Sequence, residues 1–241
     1  MMGSRNIYNT ILEAVTAKKK LLAILIDPEK FDLEKASEFL RNLPSETTHL
    51  FIGGSTVPRG LTHQVVETIK LYTAKTIVLF PGDVSQITES ADALLYLSLF
   101  SGDNPEYLVG QQIKAVPLLR SIQIEIIPTG YILVDGGNGS AVATVTRTRP
   151  IPQHEIQRIV DTAVAAELSG KKLIYLEAGS GARIAIIPEI ISEVKKELQI
   201  PLIVGGGIRT ADQVRAAYDA GADMVVIGTA FENGNSLKLK N

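Results

Sequence analysis

The segment IYLEAGSG, residues 174–181, delivers a carboxylate straight into a glycine-rich turn. Such a turn suits an anion, because its backbone N–H groups can converge on one. Glu177 is itself negative, so beside that cradle it is either a salt-bridged strand end or a functional group. Tyr175 lies two residues earlier, on the same strand face, as a ligand contact or as an aromatic packed at the rim. Gly205-Gly206-Gly207 and Gly228-Thr229 follow in the next two strand units. One such turn is explained by the backbone needs of a tight connection. Three in successive late units point to a phosphate cup, a device that recurs after the last strands of β/α barrels.

The first half carries a different pair. LIDPEK puts Asp27 at the end of a strand, where Pro28 turns the chain out of the sheet, and FIGGST does the same for Ser55. Neighbouring strands of a barrel bring such positions to one rim. There a carboxylate and a hydroxyl can hold Mg²⁺ while leaving coordination sites for phosphate oxygens and water. Asp27 would serve equally well as a helix cap, and Ser55 as a turn hydroxyl. His49, His63 and His154 share no metal-ligand spacing and read as structural or surface residues.

Short apolar runs that alternate with amphipathic ones must position these groups. The strand candidates are 21–26, 49–53, 76–80, 93–99, 122–127, 172–177, 201–204 and 224–227. Most are apolar on both faces, as in parallel strands covered on either side. Helical spacing appears at 5–19, 31–42 with Asp32 as N-cap, 153–169, and 211–220 before Gly221. Asp103-Asn104-Pro105 reads as another helix start. The fold class is therefore α/β: a TIM-like (β/α)₈ barrel, with an open doubly wound sheet as the rival. The 241 residues show no internal linker and suit one domain. Residues 81–92 are too few for a full crossover helix, and the chain stops soon after its last strand. The helix at 5–19 is expected to cover apolar surface which that ending leaves bare.

LIDPEK, GGST, IYLEAGSG, VGGGIRT and VIGTA, in this order, resemble the geranylgeranylglyceryl phosphate synthase family over about residues 20–230. The resemblance implies a barrel with a reduced third helix, in keeping with the short 81–92 segment. It implies a prenyltransferase in which a hydroxyl of sn-glycerol 1-phosphate displaces diphosphate from a long prenyl diphosphate, giving an ether lipid precursor. Asp27 and Ser55 would hold Mg²⁺. Tyr175, Leu176, Glu177, Ala178, Gly179, Ser180 and Gly181, with Gly206, Gly207, Gly228 and Thr229, would bind glycerol 1-phosphate. Such a substrate has two ends, so glycine N–H groups can take the phosphate while Glu177 accepts from hydroxyls and acts as general base. Tyr96, Leu97, Leu99 and Phe100 are candidates for a prenyl groove. Lys30, Arg147, Arg149, Arg183 and Arg209 could each reach a diphosphate, and the sequence does not choose among them.

Other classes fit less well. A net charge of −2 gives no broad basic surface for nucleic acid. No apolar run approaches the roughly 20 residues of a membrane span, so membrane contact is expected to be peripheral at most. The lack of cysteine excludes disulfides and thiolate metal sites, and a cytoplasmic setting is expected. The resemblance also implies a homo-oligomer. The alternatives are a heptaprenyl enzyme with a longer donor, a phosphosugar barrel enzyme, and a non-catalytic phosphate-ligand sensor. The run 134–142, VDGGNGSAV, reads as an exposed turn.

Overall fold

The computed structural model describes residues 6–228. Eight parallel strands close into a barrel in chain order. They are β1 Leu21–Ile26, β2 Thr47–Ile52, β3 Thr76–Leu79, β4 Ala93–Leu99, β5 Glu125–Leu133, β6 Leu173–Glu177, β7 Leu202–Gly205 and β8 Met224–Ile227. The helices are α1 Ile7–Thr16, α2 Ala36–Arg41, α3 Leu61–Lys70, α4 Gln111–Leu119, α5 Ala141–Thr146, α6 Ile156–Leu168, α7 Pro188–Glu197 and α8 Ala211–Asp219.

Alternation along each strand divides the apolar residues between two cores. Ala23, Phe51, Val78, Leu95, Ile127, Tyr175, Ile203 and Val226 fill the barrel interior. Ile24, Leu50, Leu79, Ile132, Leu176, Val204 and Val225 form the second core, between strands and helices. Both faces are dry, which is why runs such as LLAILI show no polar alternation.

Helix α1 forms within the expected 5–19, and the ending it was expected to complement lies outside the described residues. The helix closes the barrel end at which the strands begin, with Ile7 and Ile11 buried among Leu21, Leu173 and Met224. The Glu125 carboxylate, at the start of β5, accepts from the N–H groups of Ile7 and Tyr8. Those are first-turn donors with no partner inside the helix. Strand β5 itself departs from the expected 122–127 and runs through Pro128 and Gly130, two residues that locally read as turn formers. Gly130 is there for packing: a Cβ would lie 2.7 Å from that of Ala166 in α6.

Between β3 and β4 there is a single 3₁₀ turn, Val84–Gln86, and no α-helix. Asn104 caps the next helical segment as expected, accepting from the Glu106 N–H at 3.0 Å. Asp32 caps as well, but its helix opens with a 3₁₀ turn before α2. His49 is buried in β2, where burial pushes its imidazole down to about 4 and keeps it neutral. Among the described residues no three His, Cys, Asp or Glu side chains cluster as a metal site, and no helix is long and apolar enough to cross a membrane.

Candidate active site

The C-terminal ends of the strands open into a cavity of about 410 Å³. Asp27, Ser55, Tyr175, Glu177, Gly179–Gly181, Gly206, Gly207 and Gly228 all line it. Residues expected to act together from the first and last strands thus share one enclosure. Thr229 lies outside the described residues.

Glu177 ends β6 and is 5% exposed. Its Oε1 accepts from the N–H of Gly179 at 2.7 Å. Beneath it lie three packed rings: Tyr175 stacks on Phe80 at 5.0 Å between centroids, and Tyr131 lies 5.5 Å from Tyr175. This layer keeps water from the carboxylate. Burial pushes Glu177 up to about 7, although the Gly179 N–H and the neighbouring Tyr175 hydroxyl pull the other way. The same burial, with the Glu177 charge, pushes both tyrosine hydroxyls well above their ordinary value. A carboxylate poised near neutrality, facing a cavity, suits proton abstraction at physiological pH.

The glycine run after β7 is shaped around this carboxylate. At Gly205 a Cβ would lie 2.5 Å from the Tyr175 hydroxyl and 3.0 Å from Glu177 Oε2. At Gly206, with φ +81°, it would lie 2.3 Å from Glu177 Oε1. Gly205 supplies space and Gly206 supplies space and a left-handed turn.

Arg209 joins the two late loops. Its guanidinium donates to the carbonyls of Ala182 at 2.6 Å, Gly181 at 3.3 Å and Gly207 at 3.3 Å. Carbonyls are the groups an anion must not meet, and Arg209 gathers three of them on one cation. At the N-terminus of α8 a capping box of Thr210 and Gln213 satisfies two of the backbone donors. Arg209→Leu is expected to weaken inorganic phosphate binding at least tenfold by titration calorimetry, since a charge-assisted hydrogen bond contributes about 1.5–3 kcal/mol. Unchanged affinity would remove Arg209 from the cup.

At the opposite rim, Asp27 Oδ1 accepts from the Glu29 N–H at 3.1 Å, and Oδ2 pairs with Lys30 at 3.2 Å. Gly54 allows the loop after β2 to come close: a Cβ there would sit 2.9 Å from Asp27 Oδ1. Ser55 follows at once, with Glu29 and Asp83 on the same wall. The donors are hard oxygens, few and partly exposed, which fits a cation that completes its shell with water and phosphate oxygens.

The PcrB family model matches residues 14–241. The chain belongs to the PcrB family. It is 58% identical to the geranylgeranylglyceryl phosphate synthase of Zunongwangia profunda, over 95% of this chain and 97% of that one. It is 47% identical to the protein of that name from Flavobacterium johnsoniae, over 94% of each. Among solved structures it resembles (S)-3-O-geranylgeranylglyceryl phosphate synthase of Thermoplasma acidophilum in complex with sn-glycerol-1-phosphate. There the TM-score is 0.88 at 33% identity, over 99% of this chain and 96% of that one.

In this PcrB family chain the lack of an α-helix between β3 and β4 has a consequence. The cavity extends past the barrel mouth along the flank of β4, walled by Val84, Ile87, Leu94, Tyr96, Leu97 and Ala115. Leu99 also lines the cavity, whereas Phe100 does not; it packs in the outer core with Lys171 over its ring at 5.6 Å. Two expected ligand contacts likewise face elsewhere. Leu176 and Ala178 are buried in the outer core, and the Ala178 N–H donates to Gly205 O at 3.0 Å. Of the five basic candidates, Lys30 and Arg209 line the cavity, while Arg147, Arg149 and Arg183 do not. Residues 134–142 are more than an exposed turn. Ser140 is buried and caps α5, and Ala141 and Val142 line the cavity, as does Val145 further along α5. The signal was present, a serine N-cap before a short apolar run, but the glycines masked it.

Proposed function

We propose that this chain joins sn-glycerol 1-phosphate to a long-chain prenyl diphosphate, geranylgeranyl diphosphate by the names of its relatives, and releases diphosphate. One observation carries the reading: a glycine cup with a buried carboxylate opens into the same cavity as an oxygen-rich rim and an apolar arm. The names of the relatives and the bound ligand of the Thermoplasma acidophilum protein support it.

The cup holds the phosphate so that the terminal hydroxyl of the glycerol lies at Glu177. Glu177 takes the hydroxyl proton as the new C–O bond forms and the bond to diphosphate breaks. The apolar arm seats the prenyl chain and keeps water from an allylic carbon that carries partial positive charge. Lys30 adds positive charge on the diphosphate side. Mg²⁺, with Asp27 and Ser55 as its protein ligands, would neutralise the leaving diphosphate. The product is a lipid, and contact with the membrane that receives it is peripheral. Exposed Leu108 and Val109, just before α4, and Ile113 in its first turn support self-association into a homo-oligomer. The lack of cysteine suits a cytoplasmic setting.

Incubation with labelled sn-glycerol 1-phosphate, Mg²⁺ and a ladder of prenyl diphosphates tests the reading. An organic-extractable labelled product with stoichiometric diphosphate is expected, and the preferred donor length fixes the chain. Binding without release from any donor would make the protein a sensor.

A further inference from the structure

The residues between β3 and β4 do more than leave room. Gln86, on the 3₁₀ turn, is 1% exposed, and its side-chain amide meets the backbone of Gly54 twice. Nε2 donates to Gly54 O at 2.8 Å, and Oε1 accepts from Gly54 N–H at 3.3 Å. The arrangement imitates one rung of a sheet at a point where the strands have already ended. Gly82 makes the approach possible, since a Cβ there would lie 2.5 Å from Gly54 O and 2.7 Å from Ser55 O. The turn is anchored from its other side by Gln111 of α4, whose Oε1 accepts from the Val84 N–H at 3.1 Å. Val84, which opens the turn, and Ile87, which follows it, wall the apolar arm.

We propose that Gln86 is a positioning residue for the diphosphate rim: it fixes the loop Gly53–Ser55 against Asp27 from a turn that also walls the prenyl arm. The inference rests on the prenyltransferase reading. A buried amide that bonds both backbone groups of one loop residue restrains that loop, and removing it takes a partner from each group. Nothing in the contact reaches the phosphate cup, so the two substrates are expected to respond differently.

Gln86→Leu is expected to raise the KM for prenyl diphosphate and the Mg²⁺ concentration at half-maximal rate at least tenfold. The KM for sn-glycerol 1-phosphate stays within twofold. Gln86→Glu keeps the acceptor but, when ionised, cannot donate to Gly54 O, so it falls between; it also serves if the leucine variant fails to fold. Amide hydrogen exchange at Gly54, followed by NMR, should quicken at least tenfold in the leucine variant and by less in the glutamate variant, which still accepts from that N–H. Michaelis constants that are unchanged or move together, with unchanged exchange at Gly54, would overturn the proposal. If the wild type turns over no donor, the functional reading fails by itself. The clamp is then judged by Gly54 exchange and by titration with Mg²⁺ and inorganic diphosphate, where equal binding by wild type and variants overturns it.

Discussion

Glu177→Gln is expected to lower kcat by about 10²–10⁴, the span of a general base, while prenyl diphosphate binding stays within twofold. The amide keeps the size of the side chain and an oxygen for the Gly179 N–H, so the cup survives and only the proton acceptor goes. The pH dependence has a definite sign. Glu177 must be ionised to act and is held near 7. The wild-type kcat/KM for the alcohol should therefore fall about tenfold per pH unit below that point and level off above it, and the variant should lose this limb. Stability should move the opposite way. The carboxyl has a higher pKa folded than unfolded, so the folded state binds more protons between about 4.5 and 7 and loses stability as pH rises through that window. Urea unfolding at pH 8 should find the glutamine variant the more stable by something on the order of 3 kcal/mol, an upper bound from a shift of this size. At pH 4 the two should agree. An active variant, or one less stable at pH 8, contradicts the assignment.

Asp27→Ala should cost a similar factor by another route. Diphosphate leaves only when its charge is neutralised, and a metal in this role contributes several kcal/mol. Removing the carboxylate leaves Ser55 as the sole expected protein ligand and releases Lys30 from its 3.2 Å pair. The expected result is a loss of 10²-fold or more in kcat/KM for prenyl diphosphate, partly recovered by raised Mg²⁺. Phosphate binding at the cup is unchanged in calorimetry. Equal loss for both substrates would point to a folding defect, and no loss would remove Asp27 from the site.

The two ends of the chain were legible for different reasons. Strand ends carrying Asp27, Glu177 and the late glycines announce themselves, because a charge or a glycine after an apolar run is costly unless backbone or ligand needs it. Seven strands were legible near their observed bounds because both faces are apolar. The exception, β5, hides Pro128 and Gly130 inside a strand, where only the closeness of α6 explains the glycine. Facing was harder than position. Leu176 and Ala178 sit inside the right motif but point outward, a distinction that strand register settles and a motif does not. Gln86 gave no signal at all. A lone glutamine in a short loop is ordinary, and its meaning comes from Gly54, 32 positions away. Arg209 differed from the other arginines only once three carbonyls were seen around it.

The most direct measurement is a crystal structure with sn-glycerol 1-phosphate, Mg²⁺ and an unreactive thio-analogue of the prenyl diphosphate bound together. The phosphate is expected between the Gly179–Gly181 and Gly206–Gly207 loops, the terminal hydroxyl within about 3.2 Å of the Glu177 carboxylate, and the diphosphate at Asp27 with its chain along β4. A glycerol hydroxyl turned away from Glu177, or a diphosphate seated in the glycine cup, would contradict this arrangement.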